Sequence, residues 1–305
     1  MTLRVGVAPN PASGKGRGEK YLPRLKAVLA EYPVEPVTLL GEDSESSRRL
    51  MREAVESGAI EALIVVGGDG MIHHGVNALG DSKIPLGVVA VGSGNDIARE
   101  FHFPIHKLED SLHQVMGALL AGRIRDVDVL EFRSAEGVSR ALAVAAVGID
   151  ADVNARTNAM TWPKGNLRYI RGIAQSLREF RPYGLRVTID GKTAEGAATI
   201  LSVANTRWVG GGICIAPNAK PDDGLADVLL ARELRGVEFL SILPKLAFRR
   251  HTNDPRVHIV RGKVVEVEAA TELGAHPPRV MADGEDVCPL PARIEIIPGA
   301  LRLVV

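Results

Sequence analysis

From Leu3 to Leu120 the sequence alternates short aliphatic runs with stretches of helical periodicity, and that alternation admits few folds. Leu3 to Ala8 reads as a strand, Glu19 to Glu31 as a helix and Val34 to Leu39 as a strand. Ser44 to Ser57 reads as a helix, with Leu50, Met51, Ala54 and Val55 on one face, Ser44 as its cap and Gly58 just past its end. Glu61 to Val66 and Leu86 to Val91 are continuous aliphatic runs, as expected of strands covered on both faces. Strands alternating with helices imply a doubly wound parallel sheet.

The pattern changes near Asp126. Arg140 to Val147 reads as one antiparallel strand, and Leu185 to Asn205 as two strands turning at Asp190-Gly191. Further strands are expected at Leu225 to Ala231, Val257 to Arg261, Lys263 to Ala269, Arg279 to Ala282 and Arg293 to Ile297. Helices are expected near Asn166 to Arg181 and Gly236 to Phe248. A chain of 305 residues fits two domains. The expected fold class is α/β, with an α/β nucleotide-binding domain over residues 1–122 and an antiparallel β-sandwich or partly open barrel over residues 123–305. A return of the last ~15 residues to the first domain is left open.

Composition narrows the function. Thirty-seven Lys and Arg balance 37 Asp and Glu, so the overall basic bias of a general nucleic-acid binder is absent. Two Trp, four Tyr and six Phe are too few for base-stacking platforms. Cys214 and Cys288 have no metal-finger spacing, which points to a reducing compartment rather than a disulfide framework. The apolar runs fall well short of the ~18 residues that cross a bilayer. No signal-like segment opens at Met1, so a cytoplasmic location is expected.

Ligands of open α/β sheets bind beyond the carboxyl ends of the strands, so the segments that follow each strand locate the site. The first strand is followed by Asn10-Pro11-Ala12-Ser13-Gly14-Lys15-Gly16, the third by Gly67-Gly68-Asp69-Gly70 and the fourth by Gly92-Ser93-Gly94-Asn95-Asp96. Glycine-rich loops that open onto helix N-termini offer backbone N–H groups to phosphate. One such loop alone is equally well a tight turn needing glycine; three on one edge point to a nucleotide. Neither a P-loop nor a dinucleotide fingerprint is present. Asp69 would repel phosphate unless a cation or ordered water intervenes, and Mg²⁺ is the natural cation. This points to phosphoryl transfer. Two acidic features follow in the second half, Pro221-Asp222-Asp223-Gly224 and Asp283-Gly284-Glu285. Alone, the first reads as an ordinary Asp-rich turn and the second as a surface glutamate beside a hairpin.

Taken in order, NPASGKG, GGDGM, GSGND, GGG…PDDGL and ADGE resemble the diacylglycerol kinase catalytic-domain family, which includes bacterial lipid kinases, sphingosine kinases and ceramide kinases. GGDG alone is shared with NAD kinases and phosphofructokinases; the ordered set spans nearly the whole chain. The resemblance implies an ATP-dependent kinase that phosphorylates a lipid hydroxyl in a cleft between an α/β domain and a β-sandwich. It implies ATP contacts at Asn10, Pro11, Ala12, Ser13, Gly14, Thr38, Gly67, Gly68, Asp69, Gly70, Met71, Ile72, His73 and Ser93. It also implies that Glu285 accepts the lipid hydroxyl proton, and that Asp223 binds Mg²⁺ with the carbonyls of Lys220 and Leu225. Asp69 and Asp128 correspond to acidic residues of a metal–water network.

Met71 stands where bacterial members usually have Thr, and His73-His74 where Asn-Glu is common. Adjacent histidines on a helix point in different directions, which argues against a shared metal. Between Arg156 and Arg186 lie seven Lys or Arg and one Glu; a solvated helix face is the default reading, and a patch approaching anionic lipid the alternative. The expected partner is a lipid at a membrane surface, met peripherally and transiently, without nucleic acid; the sequence leaves a homodimer open. The competing functions are a kinase of a soluble acceptor such as NAD and a non-catalytic lipid- or nucleotide-binding homologue.

Overall fold

The computed structural model describes residues 2–10, 17–160, 162, 171–172, 175, 180–232, 245–246 and 249–305. The chain divides into two compact units, Met1–Asp128 with Pro298–Val305, and Val129–Ile297.

The first unit holds β1 (Leu3–Pro9), α1 (Arg17–Leu29), β2 (Val34–Thr38), α2 (Ser44–Glu56), β3 (Ala62–Gly67), α3 (Asp69–Leu79), β4 (Leu86–Ala90), α4 (Asp96–Glu100), α5 (Leu108–Leu120) and the start of β5 (Ile124–Ser134). Strands β2, β1, β3 and β4 pair in that order, all parallel. Successive side chains of a strand point to opposite faces, so each strand must satisfy two neighbours. Val5 and Val7 of β1 share a core with Leu25, Val28 and Leu29 of α1 and Leu112, Val115 and Met116 of α5. Gly6 faces the other way; a Cβ there would fall 2.8 Å from Ile60 Cδ1 and 2.9 Å from Leu39 Cδ1. On that side α2 packs on β1 and α3, and α3 on β3. Helices on both faces explain why all of β3 is buried. Each such aliphatic side chain contributes roughly 1.5–3 kcal/mol over an exposed one.

The cap of α2 differs from the sequence expectation. Asp43, not Ser44, is the capping residue: its carboxylate accepts from Ser46 N at 2.8 Å, and Ser46 Oγ accepts from Asp43 N at 3.1 Å. With Ser44 as the cap the third helical residue would be Ser47, whose Oγ instead accepts from Gly41 N at 2.9 Å, so the reciprocal box closes between Asp43 and Ser46.

The second unit continues β5 and adds β6 (Gly137–Ala141), β7 (Val144–Gly148), α6 (Ile149–Ala159), β8 (Tyr183–Ile189), β9 (Lys192–Ala204), β10 (Trp208–Val209), β11 (Ile213–Cys214) and β12 (Ala226–Arg232). After a short 3₁₀ turn at His251–Asn253 come β13 (Val257–Gly262), β14 (Val264–Ala269), β15 (Val280–Ala282), β16 (Glu285–Cys288) and β17 (Ala292–Val304). Strands β16, β15, β7, β9, β8, β14 and β17 pair in order, all antiparallel. β12 pairs with both β9 and β13, and β5 with β6. Phe132, Leu201, Val228, Val267 and Ile294 lie in the shared core. The fold class is thus α/β with a doubly wound parallel sheet, followed by an antiparallel β-sandwich-like region.

The strand expected over Arg140 to Val147 is broken at Leu142-Ala143 into β6 and β7. Most of the expected helices of residues 236–248 and 166–181 lies outside the described residues. The end of β17 runs parallel to β4 through Leu303↔Leu86, within the first unit. There Gly299 N donates to Asp128 Oδ1 at 2.9 Å, so the buried Asp128 carboxylate fixes the returning strand. Among the described residues no helix is long and apolar enough to cross a membrane.

Candidate active site

At the carboxyl edge of the parallel sheet, two glycine-rich turns touch backbone to backbone. A Cβ on Gly92 would lie 2.3 Å from Gly68 Cα and 2.7 Å from Gly68 N, so no other residue fits. Val91 N and Gly92 N both donate to Gly67 O, at 2.9 and 3.1 Å, and Asn10 N donates to Val66 O at 2.9 Å. Asn95 closes the second turn: it adopts left-handed backbone (φ 54°), its Oδ1 accepts from Gly92 N and its Nδ2 donates to Gly92 O. Such conformations favour Asn and Gly, which explains the residue types here.

The sequence argument left the Asp69 carboxylate in need of a cation. Part of the answer is internal. Asp69 Oδ1 accepts from Ile97 N at 3.0 Å and Oδ2 from Asp96 N at 3.2 Å, so the carboxylate sits on the N-terminus of α4. Unsatisfied N–H groups and a partial positive charge stabilise an anion there. Among the described residues no side chain caps α3, whose N-cap is Gly68. Gly68, Asp69 and Gly70 are partly exposed, whereas Met71, Ile72 and His73 are buried. The turn therefore presents backbone to a ligand, while Met71 packs against Gly67, where a Cβ would fall 2.5 Å from Met71 Cγ. Thr38 ends β2 in register with Val7, and Ser93 is exposed at the tip of the second turn. Residues 11–16, and with them Pro11, Ala12, Ser13 and Gly14, lie outside the described residues.

His73 and His74 lie side by side on α3, their rings 5.8 Å apart and edge-on. Burial, with smaller contributions from His73 and Arg48, pushes the His74 pKa down to about 4, so its ring is neutral at pH 7. Among the described residues no group of three or more His, Cys, Asp or Glu stands ready to hold a metal. Cys214 and Cys288 are buried and not joined in a disulfide, and burial pushes Cys288 up to about 11. Such a thiol is a poor nucleophile.

The acidic turn of the second unit carries a charge surplus. Asp223 Oδ1 accepts from Leu225 N at 3.2 Å, and Asp223 Oδ2 pairs with Arg261. Arg261 faces Asp227 across the β12–β13 ladder, with Nε 3.5 Å from Asp227 Oδ2. That oxygen is buried and, among the described residues, has no partner closer than this 3.5 Å ion pair. Burial holds the Asp227 carboxyl above the usual carboxylate range, and the charge of Asp223 adds to the effect. Two carboxylates share one guanidinium here, and oxygen ligands of this kind fit a hard cation. Lys220 is exposed and Leu225 half-buried in the same turn.

Glu285 follows a hairpin turn of two residues, Asp283-Gly284, both with positive φ (53° and 87°). That is the conformation of a tight type I′ hairpin. Glu285 is half-buried and pairs with Ala282. Sequence reasoning singled out Glu285 and passed over Asp283, whose buried carboxylate accepts from Leu142 N at 2.8 Å and Ala143 N at 2.9 Å. It also passed over Asn205, whose Nδ2 donates to Leu142 O at 2.8 Å. The available signal was the Asp-Gly pair, which Asp190-Gly191 displays as well.

Known domains and proteins resemble this chain along nearly its whole length. Residues 4–132 match the diacylglycerol kinase catalytic domain, and residues 143–305 match the YegS C-terminal NAD kinase beta sandwich-like domain. A diacylglycerol kinase of Mycobacterium tuberculosis (strain ATCC 25618 / H37Rv) is 34% identical over 304 residues, covering 99% of this chain and 94% of its own. One from Staphylococcus aureus (strain MRSA252) is 25% identical over 301 residues, covering 96% of this chain and 89% of its own. The crystal structure of a diacylglycerol kinase from Bacillus anthracis str. Sterne shares the fold, with a TM-score of 0.74, 21% identity and coverage of 99% and 96%. Yeast NADH kinase shares it more distantly, with a TM-score of 0.51, 13% identity and coverage of 97% and 78%. A match to both domain models, together with a full-length relative at 34% identity, establishes that the chain belongs to the diacylglycerol kinase catalytic-domain family of kinases.

Proposed function

We propose that the chain transfers the γ-phosphoryl group of ATP to the hydroxyl of a lipid, diacylglycerol or a related one, working peripherally and transiently at a membrane surface. The observation that carries the reading is the full-length likeness to diacylglycerol kinases, with GGDG and ADGE at the turns described above. Residues 1–122 would take the nucleotide and residues 123–305 the lipid. In the first unit the turns at Gly67–Gly70 and Gly92–Asn95 would meet the phosphates with backbone N–H groups, and Asn10, Thr38 and Ser93 would flank the nucleotide. In the second, Glu285 would take the proton of the lipid hydroxyl as its oxygen bonds to the γ-phosphorus. The bond from that phosphorus to the β–γ bridging oxygen breaks, and ADP leaves. An alcohol is a poor nucleophile, and a carboxylate placed to accept its proton accelerates such a step by about 100- to 10,000-fold. Asp69 and Asp223 are the carboxylates that would hold Mg²⁺, Asp223 with the carbonyl oxygens of Lys220 and Leu225; when bound, the ion supplies charge neutralisation.

Incubation with γ-labelled ATP and a total lipid extract tests the reading. Label is expected in the organic phase, falling about 1,000-fold in Glu285→Gln. Label in NADP after incubation with NAD would favour a soluble acceptor instead. No label in either would favour a binding homologue without turnover.

A further inference from the structure

Between β6 and β7, Leu142 and Ala143 lie outside both strands, so the backbone groups of these two buried residues need partners elsewhere. The N–H groups of both go to the Asp283 carboxylate, at 2.8 and 2.9 Å. On the acceptor side, Leu142 O takes Asn205 Nδ2 at 2.8 Å, and Ala143 O takes Asn205 N at 2.8 Å and Thr206 N at 3.3 Å. Asp283 is 8% exposed and Asn205 fully buried, so water competes little for these bonds.

Register shows why the side chain does this work. β15 pairs with β7 through Met281↔Ala146 and Ala282↔Ala145, and the next step would set Asp283 against Val144. At that point the chain turns through Asp283 and Gly284 in left-handed backbone, and the backbone ladder ends. The Asp283 carboxylate carries the cross-link past the end of the ladder, and Glu285 follows one residue beyond Gly284.

We propose that Asp283 is a positioning residue for Glu285, acting through this latch on Leu142, Ala143 and Asn205. The proposal rests on the reading of Glu285 as the proton acceptor. The latch fixes the turn from which the Glu285 side chain departs, and a shift of about 1 Å at a reacting group costs on the order of 100-fold in rate. Asp190 supplies the matched control. It too precedes a glycine at positive φ and bonds two backbone N–H groups, those of Lys263 and Val264, but it is exposed and far in sequence from the family motifs.

The test uses the full chain with γ-labelled ATP and a total lipid extract. Asp283→Asn is expected to lower kcat about 100-fold with KM for ATP within about twofold, while Asp190→Asn keeps kcat within about twofold. The Asp283→Asn, Glu285→Gln double variant is expected to be no slower than Glu285→Gln alone, because residues acting as one unit are not additive. Amide hydrogen exchange at Leu142 and Ala143 should accelerate in Asp283→Asn alone. A kcat for Asp283→Asn equal to that of Asp190→Asn overturns the proposal. So do losses that multiply in the double variant, or a rate loss that merely tracks a lower melting temperature. Should Asp283→Asn fail to fold, Asn205→Ser removes the bond to Leu142 O from the other side; about a tenfold loss of kcat supports the latch and an unchanged kcat rejects it. If Glu285→Gln keeps the wild-type rate, the proton-acceptor reading falls and the latch with it; if Glu285→Gln is inactive and Asp283→Asn is not, the latch alone falls.

Discussion

Two Asp-Gly turns in the second unit follow one plan in two settings. Asp190-Gly191 joins β8 to β9, and its carboxylate accepts from Lys263 N at 3.0 Å and Val264 N at 2.9 Å. Asp283-Gly284 joins β15 to β16, and its carboxylate accepts from Leu142 N and Ala143 N. In both, positive φ at two successive residues turns the chain, and the aspartate staples a neighbouring segment. The first is exposed and its amides are replaceable by water; the second is buried and they are not. Identical local chemistry therefore carries different weight, because an unmet buried donor costs far more than an exposed one.

The largest expected effect breaks the symmetry between the turns. Asp283→Ala strands two buried amides and is expected to cost about 4 kcal/mol in urea unfolding, against about 1 kcal/mol for Asp190→Ala. Equal losses would show that water reaches the inner turn.

Burial also separates His74 from an ordinary histidine, and pH reads the difference. Its folded pKa of about 4 lies below the unfolded value of 6.5, so the unfolded chain takes up the proton first as pH falls. The stability that depends on a neutral His74 is complete above pH 6.5 and is lost on descending toward pH 4, by roughly 3 kcal/mol at about 1.4 kcal/mol per pH unit. Chemical denaturation at pH 7 and pH 4 should show a loss in the wild type that His74→Leu lacks.

The smallest effect tests where the two turns agree. Gly191 and Gly284 have φ of 81° and 87°, and a Cβ at either would meet nothing within 4 Å. Gly191→Ala and Gly284→Ala are each expected to cost about 1 kcal/mol, from backbone strain alone. A markedly larger loss at Gly284 would mean that the inner turn is constrained by more than its aspartate.

The parallel sheet was legible because strands covered on both faces must be aliphatic throughout, as β3 is from Ala62 to Val66. The hairpin at Asp190-Gly191 was legible because its turn residues are those that tolerate positive φ. The break at Leu142-Ala143 was not, since Arg140 to Val147 is one unbroken stretch of strand-compatible residues and the interruption is imposed from Asp283 and Asn205, 140 and 63 positions away. Helix α6 was missed because Ile149–Ala159 has no apolar stripe at helical spacing. At the candidate site, the residue types of the glycine turns and of Glu285 could be read in advance. The hold of α4 on Asp69 and the opposition of Arg261 to Asp227 depend on which elements fold together, which no local pattern encodes.

The return of β17 to the first unit has a consequence for biosynthesis. Leu303 pairs with Leu86, so β4 gains this neighbour only after all of Val129–Ile297 has been made. A ribosome that has released Met1–Asp128 has therefore released a sheet whose β4 flank is covered only at its end, where Ile105 bridges Ala90. Bare strand flanks recruit other chains. Newly made protein is thus expected to be most prone to self-association in the interval before Leu303 emerges.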